Sequence, residues 1–204
     1  RQCRGDLSYD ASNGQGAVCR ATVQDLKNAN AAVGKCKLYS TKGLHYKAGA
    51  IDWSTAVLVT ISDASFAQDQ YVDSKGNVKL HRSQIGRVHV LAEPSILDTA
   101  FANCHIIPYA SMTNKRVCNS TLQAEGHAMI AAVDSGDRLR AMICGMKGQL
   151  EMKDWESSIK RTLKHMWLSD CESLVSHLKN PKDEKLSNSR LSIDIVGLKQ
   201  HLWN

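Results

Sequence analysis

Val57-Leu58-Val59-Thr60-Ile61-Ser62-Asp63 is the stretch whose reading decides the fold. Ala56 to Ile61 is a continuous apolar, β-branched run, the pattern of a buried strand. Asp63 follows it directly. A carboxylate leaving a hydrophobic strand is costly unless it is paired or bound to a cation. The arrangement recurs in Met166-Trp167-Leu168-Ser169-Asp170, where a second predicted strand, Leu163–Leu168, ends in an apolar run that leads to Asp170. Between the two, Asn119-Ser120-Thr121-Leu122-Gln123-Ala124-Glu125 places Glu125 one turn into a predicted helix. Two strand-end aspartates and a helix glutamate form a set that phosphoryl-transfer chemistry can use.

Other elements follow on either side. Residues 1–20 are polar and glycine-rich with no clear period. Residues 22–37 read as a helix opened by the capping box Thr22-Val23-Gln24-Asp25, with Val23, Leu26, Asn30 and Val33 on one face. A connector runs from Thr41 to Ser54. After the first strand, residues 66–77 read as a polar turn, and Ile85–Leu91 alternates as a strand whose Val88 and Val90 face a core. Pro94 ends it. His105–Tyr109 is a short third strand interrupted by Pro108.

Ser120 with Gln123 forms a second capping box, and a helix is predicted over Thr121–Met146, its buried stripe made by Leu122, Met129, Ile130 and Val133 and its middle loosened by Ser135-Gly136. Asp170 is expected to cap a helix through Leu174, Val175 and Leu178, closed by Asn180-Pro181. Residues 181–188 read as a charged loop, and Leu191, Ile195, Leu198 and Leu202 as a last amphipathic helix. The order β-β-β-α-β-α-α implies an α/β fold. Three antiparallel strands and a parallel fourth form a mixed sheet flanked by helices.

Composition narrows the class. With 43% hydrophobic and 23% charged residues over 204 positions, the chain has the makeup of a folded domain with a smaller appendage, not of a disordered tail. A net charge of +6 favours polyanionic partners. The seven cysteines show no C-x-x-C spacing and no disulfide framework, which points to a reducing intracellular compartment, cytoplasmic or nuclear. No run approaches the ~18 apolar residues of a membrane span, so no membrane partner is expected.

The layout gives the three acids a common chemistry. Asp63 and Asp170 would end neighbouring parallel strands, where open α/β sheets gather their sites. The intervening helix could turn Glu125 to the same point. Clustered carboxylates are stable together around cations, and Mg²⁺ suits oxygen ligands and bridges phosphates. Two such ions about 4 Å apart can activate water and stabilise a leaving oxygen, which requires the carboxylates to converge within about 4–7 Å.

The stretches 60–67, 116–125 and 168–174 together resemble the ribonuclease H domain of copia-type LTR-retrotransposon polyproteins. That family carries a strand ending in Ser-Asp-Ala, a Ser-Thr-x-x-Ala-Glu helix start and a strand ending in Asp before a short helix. Here these are Ser62-Asp63-Ala64, Ser120-Thr121-Leu122-Gln123-Ala124-Glu125 and Asp170. The likeness spans Trp53 to Trp203 and includes Leu191-Ser192-Ile193-Asp194-Ile195. Residues 1–52, with Asp6-Leu7-Ser8-Tyr9, more loosely resemble the tail of the preceding reverse transcriptase and its connection, so the expected division is 1–52 and 53–204.

The resemblance implies a ribonuclease H-like fold and metal-dependent endonucleolytic cleavage of RNA in an RNA–DNA hybrid. Asp63, Glu125 and Asp170 would be the catalytic metal ligands for two Mg²⁺ ions, with the reverse transcriptase portion of the same polyprotein as a partner. The family's fifth strand and the acidic residue after it do not appear before Asn204, so the chain is expected to be a C-terminally truncated fragment. The alternative is a catalytically inactive relic of the same fold that binds nucleic acid. A metal-free interaction module would require Asp63 to be exposed and remote from Asp170.

Further positions carry a functional and a plain reading. Asp194 is expected to be a surface or salt-bridging residue and not a fourth ligand. His127 is expected to be a core or surface histidine and not a proton shuttle. Arg82, Arg87, Lys115 and Arg116 are candidate phosphate contacts or solvated charges. Trp53, Trp155, Trp167 and Trp203 are scattered along the chain and read as packing residues.

Overall fold

The computed structural model describes residues 4–18, 21–72, 78–99, 101–180 and 188–203. Helices α1 (Ser8–Ala17) and α2 (Val23–Leu38) lead into strands β1 (Val57–Val72), β2 (Val78–Ala92) and β3 (Cys104–Thr113). Helix α3 (Thr121–Met146), helix α4 (Trp155–Thr162), strand β4 (Lys164–Leu168), helix α5 (Glu172–Lys179) and helix α6 (Ser189–Trp203) follow. Among the described residues the sheet has four strands in the order β3-β2-β1-β4. β1 runs antiparallel to β2 and parallel to β4, and β2 runs antiparallel to β3. This is the expected α/β mixed sheet, with one parallel pair and helices packed on it.

The register positions the site. β1 and β4 pair from Val57↔Lys164 to Ile61↔Leu168, and β4 stops there. Asp63 and Asp170 each lie two residues past that last pair. Both faces of the sheet carry apolar clusters. On one face, Leu58 and Leu91 pack with Leu139 and Ile143 of α3. On the other, Val57, Val59 and Val90 pack with Ile96, Ile106 and Met166. A further cluster joins Met129 and Val133 of α3 to Leu174 and Leu178 of α5 and to Leu191, Ile195 and Leu198 of α6. The expected stripe of α3 is therefore the buried one, with Leu122 and Ile130 packed at its margin.

Several boundaries and packings depart from the sequence reading. β1 does not end at Ile61 but continues to Val72, and β2 begins at Val78, so 66–72 is strand and not turn. A hairpin arm is held by backbone pairing, which polar residues satisfy as well as apolar ones. The rest of the expected turn, 73–77, lies outside the described residues. β3 is longer than expected and accommodates Pro108 at an irregularity between the pairs Val90↔Ile106 and Val88↔Tyr109, on a sheet edge where a missing N–H costs little.

Helices α1 and α4 were not anticipated. α2 has the expected capping box, Thr22 Oγ1 accepting the Asp25 N–H and Asp25 accepting the Thr22 N–H at 2.7 Å. Its apolar stripe is not buried, since Val23, Leu26 and Val33 are exposed. Asp170 does not cap α5; the capping position is Cys171, which makes no side-chain cap bond. The loop 181–187 lies outside the described residues, and Asn188 caps α6 by accepting the Arg190 N–H at 3.0 Å. Leu202, expected in the apolar stripe of α6, is exposed. No described helix is long and apolar enough to cross a membrane.

The middle of α3 is continuous, and Gly136 there serves close approach. A Cβ on Gly136 would lie 2.6 Å from His165 Cε1 and 3.1 Å from Thr60 Oγ1. The absent side chain leaves room for a buried polar chain in which Thr60 Oγ1 meets His89 Nδ1 at 2.8 Å and His165 Nε2 at 2.7 Å.

Candidate metal centre

Asp63, Glu125 and Asp170 come together. Each offers a carboxylate oxygen, and these oxygens lie within 4.8 Å of one another, inside the convergence that two-metal chemistry requires. Among the described residues this is the one group of three or more histidine, cysteine or acidic side chains so placed. The sheet supplies the two aspartates, because β4 ends where β1 continues. The helix supplies Glu125. Ser120 starts α3 by accepting the Gln123 N–H at 3.1 Å, and the Gln123 side chain accepts the Asn119 N–H at 2.9 Å. The second capping box is thus shifted by one donor, since the backbone N–H reached by Gln123 belongs to Asn119 and not to Ser120. With the helix start fixed, Glu125 turns its side chain onto β1.

The three acids differ in environment. Asp63 and Asp170 are exposed, whereas Glu125 is 4% exposed. Glu125 Oε1 accepts the backbone N–H of Ala64 at 3.2 Å. Glu125 Oε2 is buried and has no hydrogen-bond partner. Burial pushes the Glu125 carboxyl up to about 7; the Ala64 N–H opposes the rise, and the charges of Asp63 and Asp170 add to it. A buried glutamate with one unpartnered oxygen, clustered with two further carboxylates, is the donor set a hard divalent cation prefers, so these residues fit Mg²⁺.

Asp194 and His127 lie apart from this group. Asp194 Oδ2 is 3.3 Å from His127 Nε2, and its Oδ1 is 3.6 Å from Arg116 Nη1. Asp194 is therefore the salt-bridging residue expected, and it is not a member of the carboxylate group. His127 is a core histidine. Asn114 Nδ2 sits 3.1 Å from its Nδ1, which leaves Nε2 to carry the proton toward Asp194. Burial lowers its pKa, so the ring is neutral near pH 7.

The four candidate phosphate contacts are spread out. Arg82 and Lys115 are exposed. Arg116 is mostly exposed and is held by Asp194. Arg87 pairs across the strands with Ser62, whose hydroxyl meets Met129 of α3, so it lies on the α3 side of the sheet, half-buried near Arg138.

Two groupings were not anticipated. The polar chain through Thr60 and His165 continues to Asp137, 3.5 Å from His165 Nδ1, and Asp137 pairs with Arg140 at 3.0 Å. No local motif marks it, because its members come from α3, β1, β2 and β4. The tryptophans are the second: Trp155, Trp167 and Trp203 line a single cavity.

No protein-family model matches the chain, and no curated protein and no solved structure matches it either.

Proposed function

We propose that this chain is a ribonuclease H-like, metal-dependent nuclease domain that cleaves the RNA strand of RNA–DNA hybrids. The observation that carries the reading is the convergence of Asp63, Glu125 and Asp170 at the end of the β1–β4 parallel pair, with one buried Glu125 oxygen unpartnered. The ordered motifs around these residues, which resemble the copia-type ribonuclease H domain, support the substrate class.

Asp63, Glu125 and Asp170 would hold Mg²⁺, which when bound supplies Lewis acidity toward phosphate oxygens and a lowered pKa for water. The protein's part is positional. The Ala64 N–H fixes Glu125 Oε1, and Oε2 is left without a protein donor. The two exposed aspartates leave the cluster open on the solvent side, where a phosphodiester backbone can approach. Glu125 must be ionised to take part, and burial makes that ionisation fall near neutrality.

A second reading is a hybrid-binding relic without cleavage. It is favoured by the engagement of Asp194 with His127 and Arg116, which leaves three acids at the centre among the described residues. Incubation with labelled RNA–DNA hybrid, RNA duplex and DNA duplex in Mg²⁺ separates the two. The nuclease reading predicts cuts in the RNA of the hybrid alone. Salt-sensitive binding without cuts would favour the relic.

A further inference from the structure

A cavity of about 480 Å³ lies beside β4, between α3, α4 and α6, away from the carboxylate cluster. Its size falls in the ~300–1,000 Å³ range of small-molecule and cofactor sites. Trp155 from α4, Trp167 from β4 and Trp203 from α6 line it. Trp155 and Trp203 present ring surface to solvent, at 41% and 67% exposure. Trp203 is oriented by its indole N–H, which donates to the Leu178 carbonyl at 3.4 Å. Trp167 stands edge-on to His165 with ring centroids 5.8 Å apart.

The charges around the indoles select the ligand. Arg140 is used internally, donating to Asp137 at 3.0 Å and to the carbonyls of Leu163 and Ile159. Lys160 and Lys164 also line the cavity and have no carboxylate partner among the described residues, against the single remaining acid Glu156. An excess of positive charge disfavours a cationic guest, although an aromatic cage alone would suit one. Flat π-faces with free ammonium groups beside them match the bases and phosphates of a single strand.

We infer that this cavity is a second nucleic-acid site, which holds a single-stranded segment with a base stacked on Trp155 and Trp203 and its phosphate at Lys160 and Lys164. The site uses none of the three clustered acids, so it stands or falls independently of the nuclease reading.

The test is anisotropy of a fluorescein-labelled oligothymidylate with the full chain in EDTA. Replacing both Trp155 and Trp203 by Ala weakens binding at least about fivefold, while replacing both by Phe retains most of it. Lys160→Glu with Lys164→Glu weakens binding and flattens its salt dependence. Equal loss in the alanine and phenylalanine pairs would overturn the inference, because packing and not stacking would then be responsible. So would unchanged binding in the lysine pair, or quenching of the indoles by tetramethylammonium but not by oligothymidylate.

Discussion

Glu125 is fastened to β1 through the backbone N–H of Ala64, 3.2 Å from its Oε1, one residue after Asp63. The bond fixes the position of a buried carboxylate and leaves its second oxygen with no protein donor.

The metal-free protein is therefore destabilised when Glu125 ionises. Its carboxyl is raised to about 7 from an ordinary 4.5, so the folded state favours the protonated form. The stability this contributes is fully present below about pH 4.5 and is lost as pH rises through about 7. Glu125→Gln removes the charge and offers an N–H to Asp63 or Asp170. In EDTA its melting temperature is expected to exceed that of wild type at about pH 8 and to equal it at about pH 4.5, read by calorimetry. An orphaned buried polar atom costs about 1–3 kcal/mol, which sets the scale of the gain.

Mg²⁺ competes with the proton on the same carboxylate. The rise in melting temperature caused by Mg²⁺ is expected to be larger at about pH 8 than at about pH 6, because the ligand must be deprotonated. Asp170→Asn should remove the rise at both. A Mg²⁺ effect independent of pH would show that Glu125 is not involved.

Gly136→Ala tests the packing beneath the site. The added Cβ meets His165 Cε1 at 2.6 Å and Nε2 at 2.8 Å, with Thr60 Oγ1 at 3.1 Å. His165 is wedged between Thr60 and Asp137 and has little room to yield. The expected loss is about 1–3 kcal/mol, measured by denaturant unfolding. An unchanged midpoint would mean that the His165 ring moves freely.

Asp194→Asn tests the boundary of the centre. Asp194 faces a neutral His127 and an exposed Arg116, and Asn can accept the His127 N–H in its place. Hybrid cleavage is expected to stay within the same order as wild type. A loss of several orders of magnitude would make Asp194 a metal ligand.

The strand order, the length of α3 and the three acids could be read from the sequence, because each rests on a strong local pattern. Ala56–Ile61 is an apolar run and Leu163–Leu168 closes on Met166-Trp167-Leu168, each ending near an acid, and Ser120 to Met146 opens on a cap and keeps a helical stripe. What escaped has no such pattern. α4 offers little beyond Trp155 and Ile159 as apolar residues, too few to mark a period. The far part of β1 is held by backbone pairing to β2, which leaves no trace in side-chain alternation. The thin apolar stripe of α2 left open whether anything covers it, because periodicity reports amphipathicity and not what lies against it; Val23, Leu26 and Val33 are exposed. The three tryptophans line one cavity although they come from α4, β4 and α6, a placement across positions 155 to 203 that local reading cannot anticipate.

The central claim is that Asp63, Glu125 and Asp170 act as one metal centre. The most direct measurement is cleavage of an end-labelled RNA–DNA hybrid in Mg²⁺ by the wild-type chain and by Asp63→Asn, Glu125→Gln and Asp170→Asn, each first shown to be folded. RNA cuts by wild type that EDTA abolishes are expected, with a loss of at least about a hundredfold in every variant. Cleavage that survives Asp63→Asn, or a folded wild-type chain that makes no cuts in Mg²⁺, would contradict the claim.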